Sequence, residues 1–343
     1  MSPGPLRLRL AIFVWLGGAL TVCGQPSPSS IPIPGGEAGV GFDDLRYSES
    51  LGRLIVPGGR TGAIVLVDPR TWAVTHIEGF SSSASYDGGH GEGVTSADEG
   101  RGFLFATDRS TQRLIVVDPA GGGVVGWAKL SAGPDYVRYV SRTGEVWVTE
   151  PDAEKIEVFR LQDNPPRPIR DGEIEVKGGP ESLVVDEERG IAYTHLWKGE
   201  TVAIPLKSRT PRAAWKNGCE GSRGIALDPS RGFLFVGCAE GKAVTLDAKT
   251  GKIVSSVKVG AGVDIVDFNP RRGHLYAPGG KSATMAVVDV APDGALGIAD
   301  TVPIAEKGHC VASDTSGNVY VCDPKGGRIL VIQDRWQPAP RSP

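Results

Sequence analysis

A glycine, then a burst of β-branched and aromatic residues, then a loop: this phrase recurs seven times along the chain and restricts it to a repeat architecture. The copies are GRLIVPG from Gly52, GFLFATD from Gly102, GEVWVTE from Gly144, GIAYTHL from Gly190, GFLFVGC from Gly232, GHLYAPG from Gly273 and GNVYVCD from Gly317. Successive glycines stand 50, 42, 46, 42, 41 and 44 residues apart. That is the period of propellers and related arrays.

Each copy has the same surroundings. A second phrase follows at a nearly constant offset and ends in aspartate, at Asp68, Asp118, Asp247, Asp289 and Asp334. Two divergent copies, KIEVFRL near Arg160 and TVAIPL near Leu206, keep the period and lose the aspartate. A short apolar segment precedes each glycine, and a fourth, such as Ile253 to Val259, closes most units. Four short strands separated by Gly, Pro, Asp and Ser describe a four-stranded antiparallel blade. Helical periodicity is absent from the body of the chain. The 48 Gly and 26 Pro suit so many reversals, since Gly supplies positive φ and Pro presets φ at turn starts. The repeated aspartate is read as a turn former whose carboxylate accepts backbone N–H groups.

The expected fold is therefore all-β: a seven-bladed β-propeller of four-stranded antiparallel blades. The last unit, from His309 to Asp334, supplies only three strands, while Ile31 to Pro34 resembles the fourth-strand ending at Val302 to Ala305. The N-terminal strand is expected to close the ring as the outer strand of the last blade, where proline is tolerated because only one side needs donors.

The first 22 residues read as an export signal, with Arg7 and Arg9 ahead of an apolar run from Leu10 to Val22. That run is too short for a permanent anchor. Two fates remain open: acylation of Cys23, which follows LTV in a lipoprotein-like LTVC, or an ordinary cut near Gly24. The organisation expected is a signal over 1–22, a flexible leader over 23–30, the propeller over 31–334 and a tail over 335–343. The protein is expected in the periplasm or at the cell surface, as a monomer, touching a membrane only through a lipid on Cys23. Losing Arg7 and Arg9 takes the net charge from −3 to −5, which argues against nucleic acid as a partner.

Four cysteines then remain, an even number in an oxidising compartment. Cys310 and Cys322 flank a hairpin symmetrically about Ser316, and Cys219 and Cys238 flank the equivalent hairpin of the fifth unit. Two local bridges are expected, Cys219–Cys238 and Cys310–Cys322. A four-cysteine zinc site is disfavoured by the separation of the pairs and the lack of CxxC spacing.

The unit GIALDPSRGFLFVGCAEGKAVTLDAKTGKIVSSVKVG resembles the repeat of the YVTN-repeat β-propellers, the group that includes the YncE-like periplasmic proteins. Similar units cover about residues 31 to 334, with the tetrapeptide degenerate (VPGG, ATDR, VTEP, THLW, VGCA, APGG, VCDP). The resemblance implies the fold. It implies no one function, because propellers host enzymes, binders and scaffolds alike.

In a propeller, the loops entering the first strand and leaving the second share one face around the channel mouth. Glu92, Asp135, Glu181, Arg223, Asp264 and His309 enter first strands there, and Asp108, Arg109, Glu150, His195 and Trp197 leave second strands. The long spacing between the first two units comes from an insertion, Phe80 to Gly93, carrying Tyr86, Asp87 and His90. Loops of that length on a rigid scaffold carry binding groups or are simply disordered and polar. Each ring member also has a bland reading as a solvated or paired charge; for His309 it is donation to a backbone carbonyl. Converging carboxylates would repel, and Arg223 or a divalent cation would relieve them. Oxygen ligands with one imidazole suit calcium, magnesium or manganese rather than copper. Two functions follow. One is a non-enzymatic propeller binding a small molecule or protein partner on the channel face. The other resembles the lactonase-type propellers: a hydrolase or lyase using a divalent ion held by Glu92, Asp135, Glu181 or Asp264, with His309 or His90 as acid–base.

Overall fold

The computed structural model describes Met1 and residues 28–336. The segment expected to be an export signal, Cys23 and the end of the tail fall outside the described residues. Seven four-stranded antiparallel sheets are arranged as a β-propeller. Blade one runs Arg46–Ser48, Arg53–Pro57, Ala63–Val67 and Val74–Glu78 from the centre outward. The inner strands of blades two to seven are Val94–Gly100, Val137–Val140, Val184–Asp186, Ser222–Asp228, Asp267–Asn269 and Val311–Ser313. Each inner strand touches the inner strand of the blade on either side, and blade seven touches blade one, so the ring is closed.

The recurring phrase does two structural jobs. Its glycine ends the turn between first and second strands in the left-handed region in all seven copies, with φ from 60° at Gly52 to 88° at Gly317. A residue with a Cβ is strained there. Three positions on, Ile55, Phe105, Trp147, Tyr193, Phe235, Tyr276 and Tyr320 are all fully buried. The side chains of the second strand alternate between the two faces of each blade and fill the space between neighbours.

The last blade has the order Ser29–Pro32, Arg328–Gln333, Asn318–Asp323, Val311–Ser313. The N-terminal strand thus closes the ring from outside, beginning two residues earlier than the sequence suggests. Ser29 faces Val331 and Ile31 faces Ile329. Beyond Pro32 the chain turns inward, with the Ile33 N–H donating to the Gly327 carbonyl at 3.0 Å and the Gly36 N–H to the Ile33 carbonyl at 2.9 Å. Ile31 and Ile33 are each 2% exposed, which seats the strand.

The repeated aspartates behave as turn formers in three blades. Asp68 accepts the Arg70 and Thr71 N–H groups, Asp118 that of Ala120, and Asp247 those of Lys249 and Thr250. Asp334 does more: besides accepting the Trp336 N–H at 3.1 Å, its buried carboxylate accepts from His274 Nδ1 at 2.7 Å and from the Tyr276 hydroxyl. Asp247→Ala is expected to lower stability by about 1 kcal/mol, read from urea unfolding.

Candidate functional site

The channel face holds a cleft of two lobes that share His90, Arg223 and Asp264. The first, about 490 Å³, adds Arg109, Asp135, Glu181 and Trp197. The second, about 590 Å³, lies under the insertion and adds Tyr86, Lys281, Lys307 and His309. Five of the six expected ring residues therefore converge. A groove of about 580 Å³ around Trp127 and Arg167 lies on outer strands of blades two and three and shares no residue with this cleft.

Arginines meet three of the carboxylates at the channel mouth. Arg109 Nη2 donates to Asp43 Oδ2 at 2.8 Å and to Asp135 Oδ1, joining the loops that enter blades one and three. Arg223 Nη1 lies 3.4 Å from Glu181 Oε1. His90 Nδ1 faces both Asp43 Oδ2 at 3.2 Å and Arg109 Nη1 at 2.9 Å. Two donors cannot share that space, and the Asp43 carboxylate draws the proton onto Nδ1; Arg109 Nη1 is then satisfied by the His90 carbonyl at 3.1 Å. Asp43 thereby holds His90 up to about 9, against the opposing effect of burial. Burial would raise Asp43, but His90 and Arg109 outweigh it and hold Asp43 well below the usual carboxylate range.

The other two carboxyls move the opposite way. Burial, reinforced by Asp135 and only partly offset by Arg223, pushes Glu181 up to about 9. Burial also pushes Asp135 up to about 7, with Arg109 opposing. At neutral pH Glu181 is a neutral acid that can donate a hydrogen bond. His309 donates from both ring nitrogens, Nδ1 to the Lys307 carbonyl at 2.7 Å and Nε2 to the Phe42 carbonyl at 3.0 Å. Only the imidazolium can donate twice. Burial opposes that charge, and Cys322 and Asp264 outweigh it, so His309 titrates above its ordinary range. The cleft thus presents imidazolium, guanidinium and carboxylic-acid donors beside carboxylate acceptors, with Trp197, 38% exposed, as an aromatic wall.

The insertion is pinned at several points. The Ser81 N–H and hydroxyl both donate to Asp108 at 2.7 Å. Arg60 donates to the carbonyls of Gly35, Gly39 and Ser83. Tyr86 packs against Gly39, where an added Cβ would lie 2.3 Å from the ring. Held this way, the loop delivers His90 to within 5.6 Å of the His309 ring.

Several expected residues stand elsewhere. Glu92 is exposed and lines neither lobe, although the next residue, Gly93, is wedged against Gly59, where a Cβ would fall 2.0 Å from its carbonyl oxygen. Asp87 is also exposed outside both lobes. His195 is not at the mouth, because its strand continues to Leu196. It is fully buried with Nδ1 at 2.9 Å from the Thr201 hydroxyl, and burial pushes its pKa down to about 3. Cys219 and Cys238 are bridged. Cys310 and Cys322 are not: they stand opposite each other as free buried thiols. Cys322 Sγ is turned toward the backbone, accepting the N–H groups of Cys310 at 3.1 Å and His309 at 3.4 Å. Asp108 and Glu150 serve as loop anchors, Glu150 accepting the Ala132 N–H at 3.0 Å.

The sequence reading missed Asp43, although FDDL enters blade one just as the Asp135 and Asp264 segments enter theirs. It also missed the floor of the cleft. Below the mouth, Asp44 receives Arg138 Nη1 at 2.6 Å, Arg138 Nη2 at 3.1 Å and the Ser96 hydroxyl at 2.6 Å. Arg138 Nε donates to the Leu183 carbonyl at 3.0 Å. This cluster ties blades one to four across the channel, and a pocket of about 300 Å³ lined by Asp44 and Arg138 lies beside it.

No protein-family model matches the chain, and no curated protein matches it. Solved structures do. It is similar to a chain of the "Crystal Structure of Mitotic Checkpoint Complex", with a TM-score of 0.73, 12% identity, and coverage of 97% of this chain and 100% of that one. It is also similar to a chain of "Kuenenia stuttgartiensis Hydrazine Synthase", with a TM-score of 0.69, 12% identity, and coverage of 92% and 99%. At that identity the likeness carries the fold alone, and 1781 chains share it. The chain is a seven-bladed β-propeller, a scaffold whose function resides in what its loops hold.

Proposed function

We propose that this protein is an exported, non-catalytic propeller. It holds a small polar molecule, or a projecting side chain of a protein partner, in the two-lobed cleft at its channel mouth. The observation that carries the reading is the convergence of His90, Arg109, Asp135, Glu181, Arg223, Asp264 and His309, from loops of different blades, on one concave surface beside Trp197. Concave sites with a few convergent polar groups and perturbed titration are where small molecules bind. No lining residue of either lobe is a serine, threonine or cysteine that could act as a nucleophile. The Cys219–Cys238 bridge supports export to an oxidising compartment. The propeller in the mitotic checkpoint complex belongs to a protein assembly, which supports keeping a protein partner within the reading.

A thermal-shift screen of polar metabolites, with native mass spectrometry of protein isolated from its own cells, tests this. Hits should weaken on the order of tenfold or more in Arg223→Ala and Trp197→Ala. They should be unchanged in Glu92→Gln and Asp87→Asn, which lie outside the cleft. Equal binding by all four variants, or steady turnover of a hit by the pure protein, would sink the reading.

A further inference from the structure

Two cysteines with buried side chains face each other in blade seven and remain unbridged, while the comparable pair in blade five is joined. Beside them is a histidine. One nitrogen of His309, the Sγ of Cys310 and the Sγ of Cys322 all lie within 4.8 Å of one another. Ligand atoms about 2.3 Å from a common ion stand about 4 Å apart in a trigonal plane, so the three need close by less than about 1 Å to share one.

We propose that His309, Cys310 and Cys322 form a three-coordinate site for monovalent copper. Two thiolates and an imidazole are a soft donor set that selects Cu(I) or Zn(II) over calcium, magnesium or manganese. The count then separates the two. Zinc takes four ligands, and no fourth His, Cys, Asp or Glu joins this group among the described residues. Both cysteines are fully buried, which disfavours the water that completes a zinc site with three protein ligands.

The surroundings are those of a ligand set. Cys322 Sγ already accepts two backbone N–H groups, from His309 and Cys310, which would stabilise the charge of a bound thiolate. His309 has a carbonyl against each nitrogen, Lys307 on one side and Phe42 on the other. Whichever nitrogen turns to the ion, the other keeps its N–H to a carbonyl, the usual way a ligating imidazole is oriented. His309 also lines the second lobe of the cleft, so the ion has a path from solvent. Binding leaves copper as Cu(I); Cys310 and Cys322 each lose the Sγ proton and His309 one ring proton, all to solvent. In an oxidising compartment, adjacent free thiols would otherwise be expected to pair, and a shared ion keeps them reduced.

The test uses the full chain with Cys23→Ser, Cys219→Ser and Cys238→Ser, reduced and kept anaerobic so that Cys310 and Cys322 are its only thiols, titrated against the Cu(I) complex of bicinchoninate. We expect one Cu(I) per chain to pass from the competitor to the protein. Cys310→Ser and Cys322→Ser should each weaken binding on the order of 100-fold, and His309→Gln on the order of tenfold. Copper-edge X-ray absorption of the loaded parent needs no variant and should show two sulfurs and one nitrogen. A reduced chain that takes no copper, uptake undiminished in both serine variants, or a shell of oxygen and nitrogen alone would overturn the site. Zinc held more tightly than Cu(I) would overturn the three-coordinate assignment.

Discussion

Asp44→Ala should cost the protein about 3–5 kcal/mol, the loss expected when one partner of a buried ion pair is removed. Asp44 is 2% exposed and Arg138 5% exposed. Among the described residues the carboxylate is the only formal negative charge hydrogen-bonded to that guanidinium. Without it Arg138 keeps only the Leu183 and Val137 carbonyls, and the Ser96 hydroxyl loses its acceptor while it still receives the Val137 N–H at 3.1 Å. Because the cluster joins blades one to four, the loss should appear as a lower midpoint in equilibrium urea unfolding of the whole ring. Replacing both partners together, Asp44→Leu with Arg138→Met, should recover most of it, since an apolar pair leaves no charge stranded. A single-variant loss below about 1 kcal/mol would mean that water in the adjoining pocket solvates Arg138, and that the pair does not clamp the channel.

What the sequence disclosed and what it hid divide along the range of the interactions. The seven glycines and the β-branched and aromatic bursts after them are local requirements of a turn and a strand, so Gly52 through Gly317 were legible from spacing alone, while the burial of the residue three places on, Ile55 through Tyr320, came from the packing of neighbouring blades. The closing strand was legible because blade seven lacked a fourth segment. Its start at Ser29 was not, because pairing with Val331 is settled by the blade it joins. The ring residues Asp135, Glu181, Arg223, Asp264 and His309 could be placed by position in the repeat. Their partners could not: Asp43 and Asp135 meet only through Arg109, across 66 and 26 residues of chain. His195 fails for a finer reason, since one more strand residue, Leu196, keeps its ring inside. Symmetry about Ser316 placed Cys310 opposite Cys322, but which way a thiol turns is a side-chain choice that spacing does not encode.

Stability should fall as pH rises from mildly acidic values toward 9, and Glu181→Gln should remove much of that fall. The folded Glu181 carboxyl titrates at about 9 against an ordinary value of 4.5. Between those values the folded chain holds a proton that the unfolded chain has released. Its contribution is complete below the unfolded value and is lost as pH rises through the folded one. His90, raised from 6.5 to about 9, and Asp135, raised from 3.8 to about 7, act with the same sign. Asp43 acts oppositely, through its depressed value, and its contribution fades only as pH falls below the usual carboxylate range. The three raised groups, with His309, also raised above its ordinary range, govern the window from about pH 5 to 9, and Cys322, lowered to about 7, opposes them in its upper part. The Glu181 side chain is 15% exposed and sits beside Arg223, so its share is on the order of a few kcal/mol across that window. Glutamine keeps a donor where the neutral acid had one and cannot ionise. The variant should match the parent near pH 5 and exceed it at pH 9 by that amount, with urea midpoints at each pH as the measurement. Parallel curves for parent and variant would show that Glu181 is ionised in the folded protein, and that the cleft presents a carboxylate there instead of an acid.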